Sequence, residues 1–309
     1  MNGPVDDKNQ LKLLLLPTDA MRARRRPQAI LWMWAFKLAL SLAVAWPAAR
    51  AVGVAVGSHP SGDAAFFAEG GYALLEWLSR EASTRGALAA LLGAVTVVGI
   101  ALGVVPLVAA IAAMAYTTPE GRAPTARQLA SRVVAAVWPV FGLLGLATLT
   151  EALLVGLAFA VATGTRGGLV QWLGEARGEQ SLIVLLMPIA ALAALVGVLQ
   201  DLARVSVVRF EAGAFDAIKI AWRAYRARPV AALWAWLWRS LVGLLLIGLG
   251  AVASARLGGR PGGALVTLAA LHQLVSLSCV ALRASWLARA LRAVDASETN
   301  ARRSAPPAP

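Results

Sequence analysis

The chain has 309 residues, of which 59 % are hydrophobic and 15 % charged. A soluble domain of that length cannot hide so much apolar surface, and a disordered chain would carry far less of it, so both classes are excluded. Twenty-nine Lys and Arg against 16 Asp and Glu give a net charge of +13, which must be tested as a membrane-topology signal before it is read as attraction to nucleic acid.

Residues 1–28 read as a basic tail. Within it Leu13 to Leu16 form an apolar patch ended by Pro17, too short to span and expected to lie on the membrane surface. A bilayer core about 30 Å thick needs roughly 20 apolar helical residues. Six stretches qualify: 29–52, 87–115, 133–163, 181–203, 230–254 and 264–288. The predicted fold class is therefore all-α, a polytopic transmembrane bundle of six spans (29–292 with its loops) plus interfacial amphipathic helices.

Arg22 to Arg26, the apolar run and Ala49-Arg50-Ala51 together resemble a cleavable secretory signal. The late start, the length of the run and the presence of Lys37 favour an uncleaved first span instead. The loop 53–86 carries Gly57-Ser58-His59-Pro60, then Phe66, Phe67, Tyr72 and Trp77 interleaved with Glu69, Glu76 and Glu81. Short helices on the outer leaflet are expected there, with a partner-binding cap as the alternative; His59 reads as a turn residue. Gly99 and Gly103 make one GxxxG in the second span, read as ordinary close packing.

Between the fourth and fifth spans, Phe215, Ile218, Trp222 and Tyr225 fall at 0, 3, 7 and 10, one face of a helix over 211–228. Lys219, Arg223 and Arg226 share another side, Arg228 follows, and Pro229 ends the helix. Such a basic amphipathic helix should lie on the inner leaflet, with these four residues touching anionic lipid at roughly 1 kcal/mol each. A plain surface linker is the competing reading. Residues 293–309 have too little apolar content to fold alone and are expected to be a disordered tail.

Orientation follows from the basic residues. One side holds 19 of them against 9 acids, a net +10; the other holds 7 against 6, a net +1. The positive-inside rule then places both termini in the cytoplasm. Trp32, Trp34, Trp138, Trp234, Trp236, Trp238 and Trp286 fall near the inner boundary and Trp46 near the outer one, as belt residues should.

A residual +2 lies inside the spans, from Lys37, Arg239 and Arg283 against Glu151. An unpaired charge there costs roughly 2.5–3.5 kcal/mol on insertion scales. Depth along the helices allows a Glu151–Arg239 or a Glu151–Lys37 pair. Arg239 shares a small-residue stripe with Ala232, Ala235, Gly243 and Gly250, the face that should meet other helices. His272, Ser276, Cys279 and Arg283 line one face of the sixth span, and Asp201 with Arg204, an ion pair at the inner end of the fourth, extends that polar seam. Either the seam is a proton or solute path with Glu151 titrating, or its groups are structural ion pairs and interhelical hydrogen bonds.

No Walker loop, GxGxxG, HExxH or GxSxG occurs. Two histidines and one cysteine offer no metal site and no internal disulfide. No catalytic residue, cofactor or metal is expected, and neither is nucleic-acid binding; the expected partners are lipid, a membrane protein or a second copy of the chain.

Asp201-Leu202-Ala203-Arg204, followed by Val207, Val208 and Glu211, then Ala217, Ala221 and Arg228-Pro229, resembles a motif of uncharacterised bacterial multi-pass membrane proteins. In these a D-x-x-R helix end precedes an amphipathic helix and an R-P step. Pro47 and Ser58-His59-Pro60 are similar to such proteins too. The resemblance implies a six-helix inner-membrane protein and carries no activity to transfer. The expected function is a non-enzymatic envelope or membrane-complex component; the alternative is a small transporter or permease component coupled through Glu151.

Overall fold

The computed structural model describes residues 14–17, 21–23, 26–56, 82–118, 122–257 and 263–304. Seven helices follow one another among them: α1 (Pro27–Val56), α2 (Ala82–Ala115), α3 (Ala126–Leu173), α4 (Glu175–Phe210), α5 (Ala214–Ala227), α6 (Pro229–Leu257) and α7 (Gly263–Ser304). All except α5 are long and apolar enough to cross a membrane. Residues 57–81, with His59 and the aromatic cluster of the first loop, lie outside the described residues.

Local chemistry explains the helix ends. Pro27 and Pro229 open α1 and α6, where a missing N–H costs nothing. Thr125 caps α3 in a reciprocal box with Gln128, which satisfies two otherwise orphaned donors. Pro47, Pro106, Pro139 and Pro188 sit inside α1 to α4, as membrane helices tolerate when neighbours satisfy the freed carbonyls.

The sequence predicts a loop between the third and fourth spans, at 164–180. Instead α3 and α4 continue through it and turn on Gly174 alone, at φ 78°. Four residues later the chain passes itself so closely that a Cβ on Gly178 would stand 3.0 Å from the Val170 backbone. Arg166 and Glu179 join the two helices at 2.6 Å.

Contacts divide the chain into two compact units. One comprises 1–27, 108–242 and 282–309, and contains α3, α4 and α5 whole. Every residue from Asp201 to Arg209 in it is buried. Helices buried on all sides are normally apolar all round, yet these nine residues, about two turns, hold Asp201, Arg204, Ser206 and Arg209. The other unit comprises 28–107 and 243–281. There a Cβ on Gly99 would meet Leu40 Cδ2 at 2.8 Å, whereas Gly103 has nothing within 4 Å, so only half of the GxxxG makes a close approach.

Three elements differ from expectation. Leu14–Leu15 form a strand, β1, paired antiparallel with β2 (Tyr116–Thr117), Leu15 opposite Tyr116; pairing with the chain leaving α2 gives their backbone groups partners. Helix α7 runs to Ser304, through much of the tail expected to be disordered, because Val294 and Asp295 are buried. The amphipathic helix is α5, but its buried face is Ala217, Ile220, Ala221 and Ala224. Phe215 and Trp222 stay exposed, since alanine permits the closer helix approach.

A Gly178→Ala variant should lose roughly 1–3 kcal/mol of stability, the cost of overpacking against backbone, read as a lower unfolding midpoint in detergent.

Candidate functional site

The buried run of α4 faces one carboxylate with several donors. Asp201 is 1 % exposed. Arg283 on α7 donates to both of its oxygens, each at 2.5 Å, in the bidentate fork that suits guanidinium and carboxylate. Trp286, one turn further along α7, donates from Nε1 to Oδ2 at 2.8 Å. Arg204 adds a longer contact of 3.4 Å from its own helix. The sequence placed Trp286 in an interfacial belt; it is buried instead, because its indole N–H is one of the donors that compensate Asp201.

Arg204 is the less satisfied partner. It is buried, and its Nε has no hydrogen-bond partner among the described residues. Glu151 on α3 lies within its electrostatic reach. Glu151 itself is exposed, on a helix whose Leu149, Leu153 and Val155 are exposed as well.

A second cluster closes the end of α4. The Arg209 guanidinium donates from Nε and Nη2 to Asp295 of α7 at 3.0 and 2.7 Å. It also donates to the Ala115 carbonyl at 3.2 Å and to the Leu16 carbonyl at 3.1 Å. Ala115 ends α2, so its carbonyl is one of the acceptors that a helix C-terminus leaves unpaired, and a cation there is also favoured by the helix dipole. Tyr116 does the converse service: its hydroxyl donates to Val208, a carbonyl in the last turn of α4, at 3.0 Å. Burial pushes the Tyr116 phenol above its ordinary pKa, with Arg132 and Arg209 pulling the other way, so it remains a neutral donor. Arg132 lies over the Tyr116 ring and pairs with Glu211, which caps α4 in the left-handed region at φ 54°.

Other sequence-predicted residues are placed as follows. In the second unit, His272 Nε2 meets Ser254 Oγ at 2.9 Å and the Gly250 carbonyl at 3.4 Å. Cys279 donates to the Gly243 carbonyl at 3.8 Å, and Ser276 is half-buried beside them on α7. In the first unit, Arg239 donates to Ser285 at 3.2 Å and Ala235 at 2.6 Å, and lies over the Trp238 ring. These contacts, rather than Glu151, occupy the Arg239 guanidinium. Lys37 is exposed on α1 in the second unit. On α5, Lys219 pairs with Asp216, Arg223 with Glu298 of α7, and Arg226 stacks on Trp222; Arg228 follows the helix and lines a cavity.

No protein-family model, curated protein or solved structure matches this chain. Among the described residues no group of three His, Cys, Asp or Glu could hold a metal ion. What the clusters can do is fasten α4 to α7, to the end of α2 and to the strand before α1. The Arg209–Asp295 pair was not anticipated from sequence, because its partners are 86 positions apart and Asp295 lies in a segment of polar composition. The one available signal was an arginine in the last turn of a helix, where a cation is favoured.

An Asp201→Asn variant leaves Arg283 and buried Arg204 without their counter-charge and should cost about 3–5 kcal/mol. Trp286→Phe removes one hydrogen bond to a charged group and should cost about 1.5–3 kcal/mol. Thermal unfolding of both purified variants checks the order; a neutral Asp201→Asn would refute the assignment.

Proposed function

We propose that this chain is a non-enzymatic, multi-pass protein of a bacterial inner membrane, with both termini cytoplasmic, that works as a component of a membrane complex. The observation that supports this most is the exposed carboxylate of Glu151. It stands on α3 among Leu149, Leu153 and Val155, which are 60 %, 67 % and 69 % exposed. In a lipid-facing position an ionised side chain costs roughly 2.5–3.5 kcal/mol. A second protein surface covering that stretch of α3 removes the cost by supplying donors.

The interior argues in the same direction. Three polar side chains of α7 are spent on α6 and α4: His272 on Ser254, Cys279 on Gly243, Arg283 on Asp201. Groups held in that way make helix-to-helix fastenings. The transport reading keeps one specific observation, the buried Arg204 Nε, without a partner among the described residues and in reach of Glu151, which would suit a relay between the two.

Extracted in mild detergent, the wild-type protein should run as an assembly larger than one chain, and Glu151→Leu should shift it toward the monomer. A monomeric wild type would sink the reading. Glu151→Gln should leave any pH-dependent solute flux unchanged; loss of the pH dependence would favour transport. A reporter fused after Thr165 should read as exported.

A further inference from the structure

A cavity of about 380 Å³ opens between the end of α5, the start of α6 and the second half of α7. Three arginines line it: Arg228, Arg289 and Arg292, with Ser297 and Asn300 beside them. The rest of its wall is apart from Leu202 and Trp286 made of alanines, which leave the guanidinium groups room to converge. None of the described residues lining it is acidic.

The charge balance sets this cavity apart from its surroundings. The neighbouring basic residues are already occupied, Lys219 by Asp216, Arg223 by Glu298, Arg226 by Trp222. Among the described residues neither Arg228, Arg289 nor Arg292 forms an ion pair. Arg292 instead feels the like charges of Arg289 and Arg22, and Arg239 those of Arg289 and Arg292. Like charges gathered around one concavity repel unless an anion neutralises them. The volume is in the range of small-ligand sites, and guanidinium forks fit phosphate oxygens two at a time.

We propose that the cavity binds a phosphate group through Arg228, Arg289 and Arg292. The phosphate belongs either to an anionic lipid or to a soluble phosphate. The lipid source rests on the membrane reading above, because Arg228 immediately precedes the membrane-length helix α6. The soluble source does not depend on it.

The test uses the full chain in two preparations. Reconstituted in phosphatidylcholine nanodiscs doped with phosphatidylglycerol, wild type should retain phosphatidylglycerol by native mass spectrometry. In detergent without lipid, calorimetric titration with inorganic phosphate reads the soluble source. Either binding supports the site when Arg289→Gln/Arg292→Gln weakens it about tenfold or more, the scale of charge-assisted hydrogen bonds, while Arg226→Gln leaves it unchanged. Arg289→Lys/Arg292→Lys keeps the charge and should restore part of the binding. Size-exclusion profiles matching wild type show that the variants fold, as expected for side chains on the wall of an open cavity. Absence of both bindings, or equal weakening by Arg226→Gln, overturns the proposal. The Thr165 reporter stays exported in that case, so the pocket can fail without the membrane reading failing.

Discussion

Four hydrogen bonds from one guanidinium join three distant parts of this chain. Arg209 reaches Asp295 near the end of α7, the Ala115 carbonyl at the end of α2, and the Leu16 carbonyl after β1. The residue is 7 % exposed, so these acceptors replace the water that its donors lose. A buried arginine left without them would be one of the more costly defects a fold can carry. The geometry of α4's final turn is therefore coupled to everything that supplies an acceptor: the helix that precedes β2, the strand that pairs with it, and the length of α7.

The same constraint explains why polar residues crowd an otherwise apolar buried run. Asp201 and Arg209 lie eight residues apart on α4, about two turns, and each is answered by α7: Asp201 by Arg283 and Trp286, Arg209 by Asp295. The two pairs have opposite polarity, with the carboxylate on α4 in one and on α7 in the other. A slip of α7 along α4 would bring like charges closer and leave buried groups unpaired, so the pairs fix register as well as contact. Replacement of such pairs by well-packed apolar residues can be stable; what the ionic version adds here is a defined alignment of two long helices whose alanine-rich surfaces would otherwise slide.

Much of this was legible in the sequence. The six long apolar helices, the amphipathic α5 ended by Pro229, and Asp201, Arg204 and Arg283 as one polar neighbourhood all follow from hydropathy and helical spacing. These are local periodicities, and a helix written in a 3.6-residue period announces itself. Long-range pairings do not. Nothing near Arg209 names Asp295, and two-residue strands such as Leu14–Leu15 carry too short a pattern to be read as strands. Composition also misled at the tail: residues 293–304 look too polar to fold, yet a single buried valine and the ion pairs Arg209–Asp295 and Arg223–Glu298 hold that stretch of α7 in place. Of the basic face of α5, spacing alone could not tell that Lys219, Arg223 and Arg226 find partners within the protein while Arg228 joins Arg289 and Arg292 around a cavity.

The central claim is that Arg209 holds three segments together as one unit. Hydrogen–deuterium exchange of the Arg209→Gln variant, compared with wild type in the same detergent, tests it most directly. Exchange should accelerate together in peptides covering 14–17, 110–118 and 290–297, although none of these segments is mutated. Acceleration confined to the end of α4, with the other three segments unchanged, would contradict the account.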